Sequence, residues 1–237
     1  MFNSDKINVN ELFDKGYTLG FFYDVSSKKI LKGMNKLTWV NIRTHDSATE
    51  NSNFIAIESL ASNENLPRVV SQYMGEFNQW SHPLLSQYER FETFSLRLLC
   101  STKGFSRSIH NDVNNRSVLN ATAFFGDNLG NPSNGGVINV YRVDVRDPNN
   151  LSKMTFLESI TPTQGMVLIF NNMDPSLRYE MTEITNPDVK LFQVSSKSCP
   201  ITTEHLELNI GLEPGFHIMN EPGCIKNPQS ILDSIKP

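Results

Sequence analysis

Cysteine is scarce: Cys100, Cys199 and Cys224 are the only three in 237 residues. None stands in a CxxC pair, which excludes a zinc knuckle and a closely spaced disulfide framework, and a reducing compartment is the simplest expectation. Charge of one sign is also missing. The net charge is -4, from 21 basic and 25 acidic residues with no block of either, so the chain has no electrostatic footprint for a phosphate backbone or an anionic lipid surface. Nucleic acid and membrane are therefore not expected as partners. No segment is apolar for the length needed to span a bilayer. The opening segment MFNSDKINVNELFDKG carries acids and lacks the apolar stretch of a secretory leader, so a cytoplasmic protein is expected.

What is present suits a packed core. Hydrophobic residues make up 38% and charged residues 19%, too apolar and too weakly charged for a disordered chain. The length fits one β-rich domain over 1–237. Within it we expect a helical and strand lead-in over 1–92, a core of short strands over 93–213 and a C-terminal extension over 214–237. In the lead-in, NELFDKG reads as a short helix closed by Gly16, TLGFFYDV as a strand and SKKILKGMNKL as a basic helix. From Val69 to Tyr88 apolar residues recur at steps of three and four, the pattern of an amphipathic helix interrupted at His82-Pro83. The polar stretch Arg43 to Asn53 reads as a loop in which His45 is solvated.

After Arg90 the period changes from helix to strand. Phe94, Leu96, Leu98 and Cys100 alternate with their neighbours, and VLNATAFF, GGVINVYRVDV, GMVLIFNN, RYEMTEIT, VKLFQVSS and HLELNIGLEP follow, separated by turns rich in Asn, Gly and Pro. Strands in unbroken succession predict an antiparallel sandwich or barrel. The last residues, NPQSILDSIKP, read as a closing helix.

In SRSIHNDVNNRS, His110 and Asp112 stand two apart, and a strand points alternate side chains to one face. An imidazole nitrogen and a carboxylate oxygen from one strand are two corners of the facial triad of non-heme iron oxygenases, which keeps the remaining positions open for co-substrate and oxygen. A His-x-Asp triplet alone is weak; its context carries the weight. Downstream come LNATAFFGDNLGNPSNGGVINVYRV, SITPTQGMVLIFNN, SLRYEMTEI and NPDVKLFQV. With Gly135-Gly136 opening one strand and Pro162, Gly165 and Phe170 in another, this series over Phe94 to Val194 resembles the core of the Fe(II)/2-oxoglutarate-dependent dioxygenases of the prolyl-hydroxylase-like kind.

The resemblance implies a double-stranded β-helix, also called a jelly roll and shared with cupins. It further implies Fe(II) held by His110 and Asp112, 2-oxoglutarate as co-substrate, and oxidation of a substrate C–H bond coupled to decarboxylation of the co-substrate. Two positions depart from the family pattern. Its distal His-x-Val-x-x-Val is here Tyr179-Glu180-Met181-Thr182-Glu183-Ile184, so tyrosine stands where the third metal ligand belongs. The basic residue for the far carboxylate of 2-oxoglutarate falls at Lys190, a point charge without the bidentate fork of arginine. A phenolate can ligate iron once the metal draws off its proton, so Tyr179 is carried as the third ligand. Asp174, Arg178, Glu180, His205 and His217 are further candidates, with Glu180 expected on the face opposite Tyr179.

Other readings stay open. His110 also suits a satisfied buried histidine, Tyr179 a barrel-lining core residue with one hydrogen bond, and Lys190 a residue at a strand edge with its head in water. In function, the competitor is a catalytically impaired member of the fold that binds a ligand or a protein, while a cupin-like enzyme without 2-oxoglutarate calls for more histidines than these strands hold. The substrate expected of an active enzyme is a small molecule or an amino-acid or protein side chain. The loops Arg43 to Asn53 and Gly126 to Asn134 are expected to shape its pocket.

Overall fold

The computed structural model describes residues 2–3, 8–37, 40–42, 54–56, 68–73, 75–77, 91–111, 118–146, 153–200 and 224–225. Among these, the strand-period segments form two antiparallel sheets. The larger runs in the order β1 (Phe2–Asn3), β2 (Tyr17–Phe22), β10 (Met166–Asn171), β7 (Leu119–Phe125), β12 (Leu191–Pro200), β5 (Phe91–Ser101), β4 (Phe54–Ala56) and β3 (Val40–Ile42), with β13 (Cys224–Ile225) also paired to β5. The smaller runs β6 (Arg107–His110), β11 (Leu177–Met181), β8 (Ile138–Arg142) and β9 (Thr155–Ile160). From β5 onward the chain passes back and forth between the sheets, and this makes the core a double-stranded β-helix.

The larger sheet is covered on both faces, and the alternation of its strands sorts side chains between two cores. Ala121, Ala123 and Phe125 of β7, Val167 and Ile169 of β10, and Phe192 and Val194 of β12 face the helices. Phe124, Met166, Leu168, Phe170 and Leu191 face the smaller sheet, where they meet Ile138, Val140, Leu177 and Met181. Burial on both faces explains why MVLIF in β10 is one apolar run, with no polar alternation to mark a face.

The helices close the outer side. Helix α1 (Val9–Asp14) starts at Asn8, whose side chain accepts the Glu11 amide at 3.1 Å, an N-cap that satisfies a donor with no partner inside the helix. Helix α2 (Asp24–Met34) buries Ile30 and Met34. The helical residues 68–73 and 75–77 bury Val69, Val70, Tyr73 and Phe77, the three-and-four spacing expected of that stretch. The Tyr73 hydroxyl meets Ser196 Oγ at 2.9 Å inside this core, so its polar end is satisfied.

Two features differ from the sequence expectation. The lead-in does more than pack on the core, because β2 pairs with β10 and extends the larger sheet. TFLESI forms β9 on β8 although most of it is exposed, since an edge strand open to solvent carries no apolar alternation to reveal it. The expected loop Arg43 to Asn53, the helix beyond residue 77 with His82, the strand HLELNIGL and the closing helix lie outside the described residues. No helix among the described residues is long and apolar enough to cross a membrane.

Candidate functional site

Between the sheets the inner face of the larger sheet changes character. Where β7 and β12 have Phe124 and Leu191 at one end, they carry Asn120, Thr122, Gln193 and Ser195 on the same face farther along. Gln193 and Asn120 are buried at 6% and 2% exposure, so these polar groups are inside the protein. Thr122 and Ser195 are register partners whose hydroxyl oxygens lie 2.9 Å apart, and Gln193 Nε2 donates to Met181 Sδ at 3.6 Å. This polar strip forms one wall of a cavity with some 500 Å³ of space, counting the part open to solvent. Leu99, Phe105, Phe124, Leu168 and Phe170 supply its apolar walls.

The opposite wall comes from β6 and β11. His110 at the end of β6 sits directly across from Tyr179 of β11, so the two positions singled out from sequence share one face. His110 Nδ1 is 2.6 Å from the Ser108 carbonyl oxygen. A carbonyl can only accept, so the neutral ring carries its proton on Nδ1 and its lone pair on Nε2. Nε2 is buried, and His110 is among the residues that line the cavity.

Tyr179 is held by its ring. It stacks on Phe170 at a centroid distance of 4.4 Å and an interplanar angle of 11°, and meets the His110 ring at 4.3 Å and 60°. Both arrangements are favourable for aromatic quadrupoles. Its hydroxyl accepts from Asn120 Nδ2 at 3.5 Å, a long bond. The phenol therefore fills the space beside the imidazole with its ring, and its oxygen reaches the polar strip of the larger sheet.

Next to this pair lies a residue that sequence reasoning passed over. Across β6 and β11, His110 pairs with Tyr179 and Arg107 with Met181, so three residues of one strand span two of the other. Such a bulge turns an extra residue out of phase. It brings Arg107, three before His110, onto the cavity face beside it.

Of the other candidates, Glu180 accepts from Asn139 Nδ2 at 2.9 Å and the Tyr141 hydroxyl at 2.6 Å, and it is also among the residues that line the cavity. Asp174 is bound in a turn by the Ser176 amide and hydroxyl, at 2.9 and 2.6 Å. Arg178 donates to the Pro175 and Leu177 carbonyls, both at 2.8 Å. Lys190 is exposed and does not line the cavity. Its neighbour Val189 takes the inward position in the core between the sheets, while the Lys190 charge acts on Cys100, which belongs to the helix-side core. Burial pushes the Cys100 thiol up to about 11, with the Lys190 ammonium pulling the other way. Asp112, His205 and His217 lie outside the described residues. Among the described residues no three His, Cys, Asp or Glu side chains gather as a metal would require.

The two sheets give the fold seen in solved Fe(II)/2-oxoglutarate oxygenases, a prolyl hydroxylase among them. Three solved structures illustrate it. An oxidoreductase of the 2OG-Fe(II) oxygenase family from Burkholderia pseudomallei matches 81% of this chain and 88% of its own, with a TM-score of 0.57 at 11% identity. The non-heme alpha-ketoglutarate-dependent epimerase of nogalamycin biosynthesis covers 84% of both chains at a TM-score of 0.58 and 11% identity. A prolyl hydroxylase from Trichoplax adhaerens, solved with a peptide of the hypoxia inducible factor oxygen degradation domain, covers 86% of this chain and 91% of its own at 0.53 and 14% identity. Identities this low establish the shared fold alone. No protein-family model and no curated protein matches the sequence.

Proposed function

We propose that the cavity is the active site of a non-heme iron, 2-oxoglutarate-dependent oxygenase acting on a C–H bond of a small molecule or of an amino-acid or protein side chain. The observation that carries this is His110, which lines the cavity of an oxygenase fold and whose Nδ1 bond to Ser108 puts the lone pair of the neutral ring on Nε2. His110 and Asp112 would hold the iron, with Tyr179 at the third protein position. Bound there, iron and 2-oxoglutarate supply the oxygen chemistry. The chain's own residues do the rest. Phe170 fixes the Tyr179 ring by stacking, Phe105, Phe124 and Leu168 keep water from the inner wall, and Thr122, Gln193 and Ser195 offer hydrogen bonds that orient whatever enters.

The test is consumption of 2-oxoglutarate by the purified chain with Fe(II) and ascorbate, compared with His110→Ala. Turnover in the parent that is lost in a folded variant supports the reading. A parent that neither binds Fe(II) nor consumes 2-oxoglutarate refutes it.

A second reading, a catalytically impaired member of the fold that binds a ligand or a protein, draws on two observations. The ring of Tyr179 is packed between Phe170 and His110, and Lys190, the residue expected to receive the co-substrate, faces away from the cavity. A parent that binds a small ligand in the cavity without iron favours this reading.

A further inference from the structure

We propose that Asn134 is a deamidation site, held unreacted by the docking of its own loop and released by loss of its contact with Asn186. The inference stands apart from the functional reading above and holds for an oxygenase and a binding module alike. Asn134-Gly135 is the only Asn-Gly pair in the chain, and a glycine, having no Cβ, leaves its amide nitrogen unhindered for attack on the preceding side chain. In that reaction the Gly135 nitrogen bonds to Asn134 Cγ and gives its proton to hydroxide, the bond from Cγ to Nδ2 breaks, and ammonia leaves. Water then opens the cyclic imide to aspartate or isoaspartate. The folded loop blocks the first step. Asn134 closes the 3-10 turn Pro132–Asn134, and the Gly135 amide donates to the Pro132 carbonyl at 3.1 Å. The Asn134 side chain is pinned at both ends: Nδ2 donates to the Asn128 carbonyl at 3.0 Å, and Oδ1 accepts from Asn186 Nδ2 at 3.0 Å. Attack requires Cγ to swing towards the Gly135 nitrogen, and these bonds must break first.

The product does not fit the same place. Aspartate sets an oxygen where Nδ2 stood, facing the Asn128 carbonyl oxygen, so a donor meeting an acceptor becomes two acceptors in contact. Isoaspartate adds a methylene to the backbone before Gly135, where a Cβ would already run into the Glu183 carbonyl. The loop is docked on residues 182–186 by the Gly136 amide on the Thr182 carbonyl at 3.2 Å, the Val137 amide on Thr182 Oγ1 at 3.0 Å, and the Thr185 amide on the Asn134 carbonyl at 2.9 Å. These residues directly follow β11, so the modification loosens the continuation of the strand that carries Tyr179.

The experiment incubates the full-length chain at pH 8, native and in urea, beside Asn186→Asp and Asn134→Asp, each checked for fold by circular dichroism. Asn186→Asp keeps the oxygen that accepts the Asp188 amide and removes the donor to Asn134. Mass spectrometry of the Asn134 peptide reads the exchange of amide for acid, and separation of the aspartate and isoaspartate forms identifies the imide route. Asn134 is expected to react at least roughly tenfold faster in urea than in the native chain, where a local opening must come first. A folded Asn186→Asp is expected to react about fivefold faster than the native parent or more, the gain in open population from losing one neutral hydrogen bond. Hydrogen exchange at the Gly136 and Thr185 amides is expected to be faster in Asn134→Asp than in the parent. An Asn134 that stays unreacted in urea overturns the site. Equal rates in the native chain and in urea overturn the protection, a test that stands even where Asn186→Asp does not fold. A folded Asn186→Asp that reacts no faster than the parent overturns the role of Asn186, and parent-like exchange in Asn134→Asp overturns the loosening.

Discussion

Replacing Tyr179 by phenylalanine removes one oxygen atom and leaves the ring, which separates the two ways this residue can serve the site. The ring makes the contacts that hold it: the stack on Phe170 at 4.4 Å and the edge contact with His110 at 4.3 Å. Both survive in Tyr179→Phe. What is lost is a bond to Asn120 already 3.5 Å long, at the weak end of a range in which an average hydrogen bond contributes about 1 kcal/mol. A chain of this length loses about 2–4 °C of melting temperature per kcal/mol, so Tyr179→Phe should melt within about 3 °C of the parent. Tyr179→Ala removes both ring contacts, each of about 0.5–1.5 kcal/mol, together with the ring's burial. Its cost should approach the roughly 3–5 kcal/mol of a large aromatic truncation, a fall on the order of 10 °C. Thermal denaturation followed by circular dichroism measures all three proteins. The same samples then receive iron. If the Tyr179 oxygen meets the metal, the ferric protein should show a visible phenolate-to-iron absorption band that Tyr179→Phe abolishes at unchanged stability. Tyr179→His, which restores an imidazole opposite His110, should bind Fe(II) more tightly than the parent. A folded Tyr179→His that binds Fe(II) more weakly refutes the placement of position 179 at the third corner. A Tyr179→Phe as unstable as Tyr179→Ala refutes the argument that the ring, and not the hydroxyl, holds the residue.

His110→Ala should abolish tight iron binding and leave far-ultraviolet circular dichroism unchanged, because its imidazole is half-buried at a strand end and not in the core; parent-like iron affinity in that variant removes His110 from the site. Gly135 has a φ of 75° and opens the path into β8, and a Cβ there would run into the Glu183 carbonyl, so Gly135→Ala should lower stability by about 1–3 kcal/mol in urea unfolding; an unchanged midpoint contradicts that close approach. Cys100, its thiol pushed up to about 11 by burial, should resist alkylation at pH 8 in the native chain and react once urea unfolds it, as read by mass spectrometry of the Cys100 peptide. The sign for stability follows: the contribution is fully present below the ordinary thiol value of 9.0 and is lost as pH climbs from there towards about 11. Rapid labelling of Cys100 in the folded protein at pH 8 contradicts the burial.

The sequence by itself determined the strands of the core, because period-2 alternation is visible wherever a strand puts apolar residues on a covered face, as Leu98 and Cys100 of β5 and Leu119, Ala121, Ala123 and Phe125 of β7 do. The resemblance singled out position 179 together with His110, and the register of β6 and β11 sets the two directly across from each other. The polar strip was partly legible as well, since Asn120 and Thr122 in one strand, and Gln193 and Ser195 in another, interrupt apolar runs at alternate positions. Tertiary structure alone decided the rest. Strict alternation puts Arg107, three residues before His110, on the opposite face, and only the bulge against β11 returns it to the cavity. Lys190 and Val189 are neighbours of which one must face in and one out, and the register of the adjoining β12, with Leu191 inward and Phe192 outward, chose Val189. A side-chain period of two fixes which residues share a face within a regular strand, but a bulge or the step into a strand resets the phase. Where the phase resets, packing against the neighbouring strand decides which side chain reaches the cavity.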